Sequence, residues 1–193
     1  MVNFLLDILP IILVALSSLY LFISKRWRWN VIVLAIQYVA VFWMILQVWT
    51  LGLAVVKLIS GWMAGAILGS SLQLDHSAEP SDSISEKRLK IVLIVIIWII
   101  VYSISPQLQK WLPISDNLIL GATILIVTGI LQFGISTNPV RVIFGLLTSF
   151  SGFEVIYAGI ESSIMVAGFL AIITLGIALA GALFIQQQEG EII

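Results

Sequence analysis

The chain has no cysteine and a single histidine. The first absence removes disulfides, thiolate nucleophiles and cysteine-ligated metal or iron–sulfur centres. The second removes any multi-histidine site built within this chain alone. Charge is scarce as well: Asp, Glu, Lys and Arg make up 10% of the residues, where a soluble domain carries about 25%. The net charge of −1 points to no particular partner, and no basic patch suggests nucleic acid. No nucleophile stands near a histidine base, no glycine loop is shaped for phosphate, and no ligand cluster has metal spacing. No metal and no cofactor are expected. The chain is not expected to be an enzyme on its own, although a partner chain could complete a site.

What the chain does have is apolar length. Hydrophobic residues make up 61% of it, so lipid acts as solvent for most of the surface. Seven apolar runs stand out: Phe4–Ile23, Val31–Trp49, Leu51–Ser70, Leu89–Ile104, Leu118–Ile135, Val140–Ile160 and Ser162–Ile185. A helix of about 20 such residues crosses a ~30 Å hydrocarbon layer. The runs do not alternate apolar and polar residues, which excludes a barrel. The expected fold is all-α, a polytopic transmembrane bundle of about seven helices. Residues 1–71 hold helices one to three, 72–88 a polar linker, 89–185 helices four to seven, and 186–193 a tail.

Basic residues orient the chain. Lys25, Arg26, Arg28, Lys87, Arg88, Lys90 and Arg141 all fall in or beside the links that face the cytoplasm if the N-terminus is outside, and only Lys110 faces out. The first run has no basic n-region, carries Asp7 at its start and is followed by its charges, so it reads as a retained helix. Linker and C-terminus are then cytoplasmic, and the protein is a multi-pass cell-membrane protein. Trp27, Trp29, Trp49 and Trp111 lie near run ends, where an indole straddles lipid and water. His76, in the linker, reads as a solvated loop residue, because no second ligand stands nearby.

The topology leaves room for two parallel three-helix repeats joined by one extra helix. A shift of 111 residues overlays runs one to three on runs five to seven without gaps. An axis along the membrane normal would relate two such units. Small residues mark packing faces. Gly61, Gly65 and Gly69 recur at four-residue spacing, Gly145 and Gly152 lie in run six, and Gly168, Gly176 and Ala180 in run seven.

Few ionisable groups enter the runs. Lys57 lies six residues into run three, and Glu154 six residues from the outer end of run six. Both are then roughly 9 Å below the outer boundary. They are placed to meet as an ion pair, which lowers the cost of burying each. The bland alternatives stay open: Lys57 snorkels outward along its stem, and Glu154 is a protonated or water-exposed carboxyl near the interface. The functional reading is a proton or cation relay. Gln37, Gln47 and Gln132 read as interhelical hydrogen-bond partners. Asp7 and Glu161 mark the outer boundary.

The pattern RVIFGLL, a polar link, then FLAIITLGIALAGALF, within Arg141–Phe184, resembles the last two helices of the subunit K family of NADH-quinone oxidoreductase. It is also similar to the corresponding small membrane protein of multisubunit Na+/H+ antiporters. The extra runs, and the lysine-bearing stretch TLGLAVVKLISGWMAGAIL, look like a longer membrane component of hydrogenase-4-type complexes. The resemblance implies one component of an ion-translocating complex that packs against larger antiporter-like membrane subunits within the lipid bilayer. One departure matters. Where subunit K carries a membrane carboxylate in its middle helix, this chain has Thr148, whose repeat counterpart is Gln37, and neither holds a charge. The resemblance therefore implies a mainly structural role, or support of a proton path with Glu154 and Lys57 as its charged members. A self-contained small oligomeric transporter or channel, and a non-transporting membrane scaffold, are the alternatives.

Overall fold

The computed structural model describes the backbone of residues 2–72 and 83–190 and the side chains of residues 8–71 and 83–187. Every described element is a helix: α1 (Val2–Ile23), α2 (Trp27–Leu46), α3 (Leu51–Leu72), α4 (Ile84–Gln109), α5 (Asp116–Ile135), α6 (Pro139–Ile160) and α7 (Ile164–Gly190). Six of them, α2 to α7, are long and apolar enough to cross a membrane, and the described apolar part of α1, Ile8–Ile23, is shorter. These lengths and compositions make the chain a multi-pass membrane helix bundle.

Local chemistry sets where the helices begin. Pro139 sits in the first turn of α6, where a missing N–H costs nothing, and the Asn138 side chain accepts from the Val140 and Arg141 N–H groups at 2.8 and 3.4 Å. α4 starts at Ile84, five residues ahead of the predicted run. Its capping box explains the difference: Ser83 Oγ accepts from the Glu86 N–H at 3.2 Å, and the Glu86 carboxylate accepts from the Ser83 N–H at 3.1 Å. The end of the expected linker is thus a charged helical turn. The rest of that linker, residues 73–82 with His76 and Pro80, lies outside the described residues, as do 191–193 of the expected tail. Up to Gly190 the tail continues α7.

Short links make successive helices antiparallel within α1–α2–α3 and within α4–α5–α6–α7. One end of the bundle carries the α1–α2 and α5–α6 links, the start of α4, and the cations Lys25, Arg26, Arg28, Lys87, Arg88, Lys90 and Arg141. It is called the basic end below, and the opposite end the far end.

The helices form two stacked rows. Among the described residues the main contacts within each row are between neighbours, α1 with α2 and α2 with α3, then α5 with α6 and α6 with α7. Between rows, α1 packs on α5, α2 on α6 and α3 on α7. Gln37 meets Thr148, 111 positions on, and Trp49 meets Glu161, 112 positions on. The first contact lies within α2 and α6 and the second just beyond their ends, so these helices run parallel, in the register of the 111-residue shift. The pairing also corrects the expected symmetry. A half-turn about the membrane normal would face α1 with α7 and α3 with α5, whereas the observed rows are related by a sideways displacement. α4 stands outside, on α5 and the flank of α1, with Ile94, Val101 and Ser105 as its buried residues.

Candidate functional site at the seam of the two rows

Lys57 comes from α3 and Glu154 from α6, so each row supplies one charge. The Lys57 ammonium forms an ion pair with Glu154 Oε2. Side chains of both residues are buried, with 5% and 1% of their surface exposed, so the Lys57 ammonium does not reach outward to solvent and the Glu154 carboxylate is not water-exposed. Thr174 on α7 completes the cluster. Its hydroxyl accepts from Lys57 Nζ at 3.2 Å and shares its one proton between Glu154 Oε1 at 3.1 Å and its own Leu170 carbonyl at 3.1 Å. Three helices thus converge on one charge pair. An isolated charge at this depth would be costly, and the pairing with hydrogen bonds offsets much of that cost.

Tyr38 on α2 walls the cluster toward the basic end. Its ring centroid lies 4.8 Å from Lys57 Nζ, a cation–π geometry. Gly61 makes room for it: a Cβ at that position would run into the Tyr38 ring. The Tyr38 hydroxyl is buried beside Ser151 without a well-formed hydrogen bond.

One turn further along α6 a second polar group begins. Thr148 Oγ1 donates to Gln37 Oε1 at 3.3 Å, and Gln37 Nε2 donates to Ser18 Oγ on α1 at 3.1 Å. Closer to the basic end, Gln132 donates to the Arg141 carbonyl at 3.3 Å, and Arg141 Nη2 donates to the Phe22 carbonyl at 2.5 Å. Gln37 and Gln132 therefore tie helices together, whereas Gln47 is exposed at the end of α2. Glu161 is exposed at the far end and its carbonyl accepts from the Trp49 indole at 2.9 Å. The side chain of Asp7 lies outside the described residues.

The small residues divide into two kinds. A Cβ on Gly145 or Gly152 would press on α5 backbone: Gly129 O and Phe133 N lie 2.9 Å from the first, and the Ala122 carbonyl lies against the second. These two glycines let α5 and α6 touch. In α3 the regular stripe is not one seam. Gly61 faces Tyr38, Gly69 has ordinary room beside Val31 at 3.6 Å, and Gly65 has no neighbour within 4 Å. Gly168 and Gly176 also face open space.

Sequence reading isolated the two charges and missed Tyr38, Ser151, Thr174 and Ser18. A lone hydroxyl in an apolar helix is common and usually bonds its own backbone, as Ser151 does to the Leu147 carbonyl at 2.7 Å. The one usable signal was the 111-residue shift, which placed Gln37 on Thr148. Among the described residues no group of three or more His, Cys, Asp or Glu could hold a metal. A cleft of about 300 Å³ between the start of α6 and the end of α7, lined by Val142, Ile143, Gly181 and Phe184 among others, lies away from the charge pair.

Comparison with known protein families, curated proteins and solved structures finds no match to this chain. The chemistry of the seam has to carry the functional reading.

Proposed function

We propose that this chain supports a proton or cation path in a multisubunit ion-translocating membrane complex of the antiporter or NADH-quinone oxidoreductase type, with Lys57 and Glu154 as its charged participants. The observation that carries the reading is the ion pair itself, buried at the seam of two rows and ringed by Thr174 and Tyr38. Ionisable groups inside a membrane bundle are expensive to keep, and they mark ion or proton pathways. A purely structural seam in lipid is made with small residues, as at α5 and α6. Membership of a larger complex rests on the resemblance of Arg141–Phe184 and on α4, whose broad apolar side is left for lipid or a larger membrane protein to cover.

Two measurements test this. Glu154→Gln and Lys57→Met should each lower ion-coupled activity of membrane vesicles at least tenfold per molecule of folded protein, with the amount of each variant in the membrane measured alongside to correct for lost stability. Unchanged activity in both variants would reduce the pair to packing. In mild detergent the chain should co-purify with larger membrane proteins. Recovery alone, with ion flux after reconstitution, would favour a self-contained transporter, a reading supported by the in-register stacking of the two rows.

A further inference from the structure

Polar groups are distributed unequally on the two sides of the charge pair. The far end is nearer: six residues of α6, or roughly 9 Å, separate Glu154 from Ile160. Yet the buried side chains around that short stretch are Ala54, Val155, Ala158, Ala167 and Leu170, with Trp49 laid across the end. Its indole N–H is consumed by the Glu161 carbonyl. None of these buried side chains offers water a partner, and Tyr157, on the same stretch of α6, is only half-buried against their cluster.

The route to the basic end is longer, roughly 20 Å from Glu154 to Arg141 along α6. It holds buried polar groups at three levels, Tyr38 with Ser151, then Thr148 with Gln37 and Ser18, then Arg141 with Gln132 and Asn30, and an apolar layer lies between the second and the third. Several have bonding capacity left over. Among the described residues, besides Glu154 Oε2, which faces the Lys57 ammonium, the buried side-chain nitrogen and oxygen atoms without a hydrogen-bond partner are Tyr38 Oη, Asn30 Oδ1, Gln132 Oε1 and Arg141 Nε. All four belong to this route. Their side chains are 1% exposed, and that of Arg141 9%. Buried polar atoms are ordinarily satisfied by protein or by ordered water. The apolar cluster of Leu21, Leu34, Phe144 and Leu147 narrows the route but leaves the Ser18–Gln37–Thr148 step intact.

We infer that the seam between the rows binds a file of water molecules, or of hydronium in transit, that connects the Lys57–Glu154 pair to the basic end alone. The pair has one-sided access, from the side more distant along the helix. The Tyr38 hydroxyl bridges the charge pair and the Gln37–Thr148 step. The inference rests on the proposed relay for its purpose, but its test reads water access and not transport.

The cysteine-free sequence is a ready background for that test. Single variants Ser151→Cys, Thr148→Cys and Ala158→Cys are treated in oriented vesicles, from either side, with silver ion, a thiol-reactive cation small enough to follow a file of water and too charged to cross lipid. Arg26→Cys and Trp111→Cys, both at exposed positions, mark the basic and far sides. Ser151→Cys and Thr148→Cys should react from the basic side at least tenfold faster than Ala158→Cys. Neither should react from the far side. Ser151→Cys is near-isosteric and Thr148→Cys gives up one methyl group, and either one in a folded chain is sufficient. Protection of both from each side, or reaction from the far side, overturns the inference. Loss of flux in Glu154→Gln without this labelling pattern would leave the relay standing and remove the water file. The labelling pattern with normal flux in Glu154→Gln would do the reverse.

Discussion

The two rows share a topology and differ in how they are held together. In the second, α5 and α6 meet backbone to backbone through Gly129, Gly145 and Gly152. The 111-residue shift places these on Ser18, Leu34 and Val41 of the first row. There, buried side chains keep α1 and α2 apart, and the Gln37 amide spans the gap to Ser18 at 3.1 Å. The second row is a close-packed slab and the first is a wider layer with polar filling. The functional groups lie where the two kinds of packing face each other. The charges are not repeated: the counterpart of Lys57 is Gly168 and that of Glu154 is Trp43. Two rows stacked in matched register thus carry a site that is not repeated.

The largest expected effect comes from removing one charge. Lys57→Met alone leaves Glu154 buried without its partner and should cost about 3–5 kcal/mol, read as loss of thermal stability in detergent. Next are the glycines. Gly145→Ala forces α5 away and should cost ~1–3 kcal/mol, while Gly65→Ala has space and should be neutral or stabilising by up to ~1 kcal/mol, from better helix propensity. Similar losses at both sites in denaturant titrations would erase the distinction between slab and layer. Gln37→Leu removes the bonds to Ser18 and Thr148 and should cost about 0.6–2 kcal/mol. Cross-linking between cysteines placed on α2 and α6 should become less selective in register. The smallest effect belongs to Trp49→Phe, which loses one hydrogen bond to the Glu161 carbonyl, worth about 1 kcal/mol. Far-end hydrogen exchange should rise there without change at the basic end.

Much of this frame was legible in the sequence because lipid allows so few solutions. Apolar runs of helix length, cations gathered at alternate links and a gap-free internal shift are all linear features. Lys57 and Glu154 stood out for the same reason, since a charge in such a run has no cheap explanation. What sequence could not supply was rotation. A stripe such as Gly61, Gly65 and Gly69 lies on one helix face, but only the neighbouring helix decides whether that face meets a ring, a methyl group or open space. Thr174 and Ser151 were hidden because a hydroxyl in a membrane helix gives no signal until a charge is found beside it. The sideways stacking of the rows was equally hidden, because a shift that aligns two stretches of sequence says nothing of how the corresponding helices are placed.

The central claim is that Lys57 and Glu154 act as one unit across the seam. A double-mutant cycle tests it most directly, with unfolding free energies of Lys57→Met, Glu154→Gln and the double variant measured in one detergent. The account predicts that the double variant recovers much of the loss, with a coupling of about 3 kcal/mol. Additive losses, with a coupling below about 0.5 kcal/mol, would contradict it.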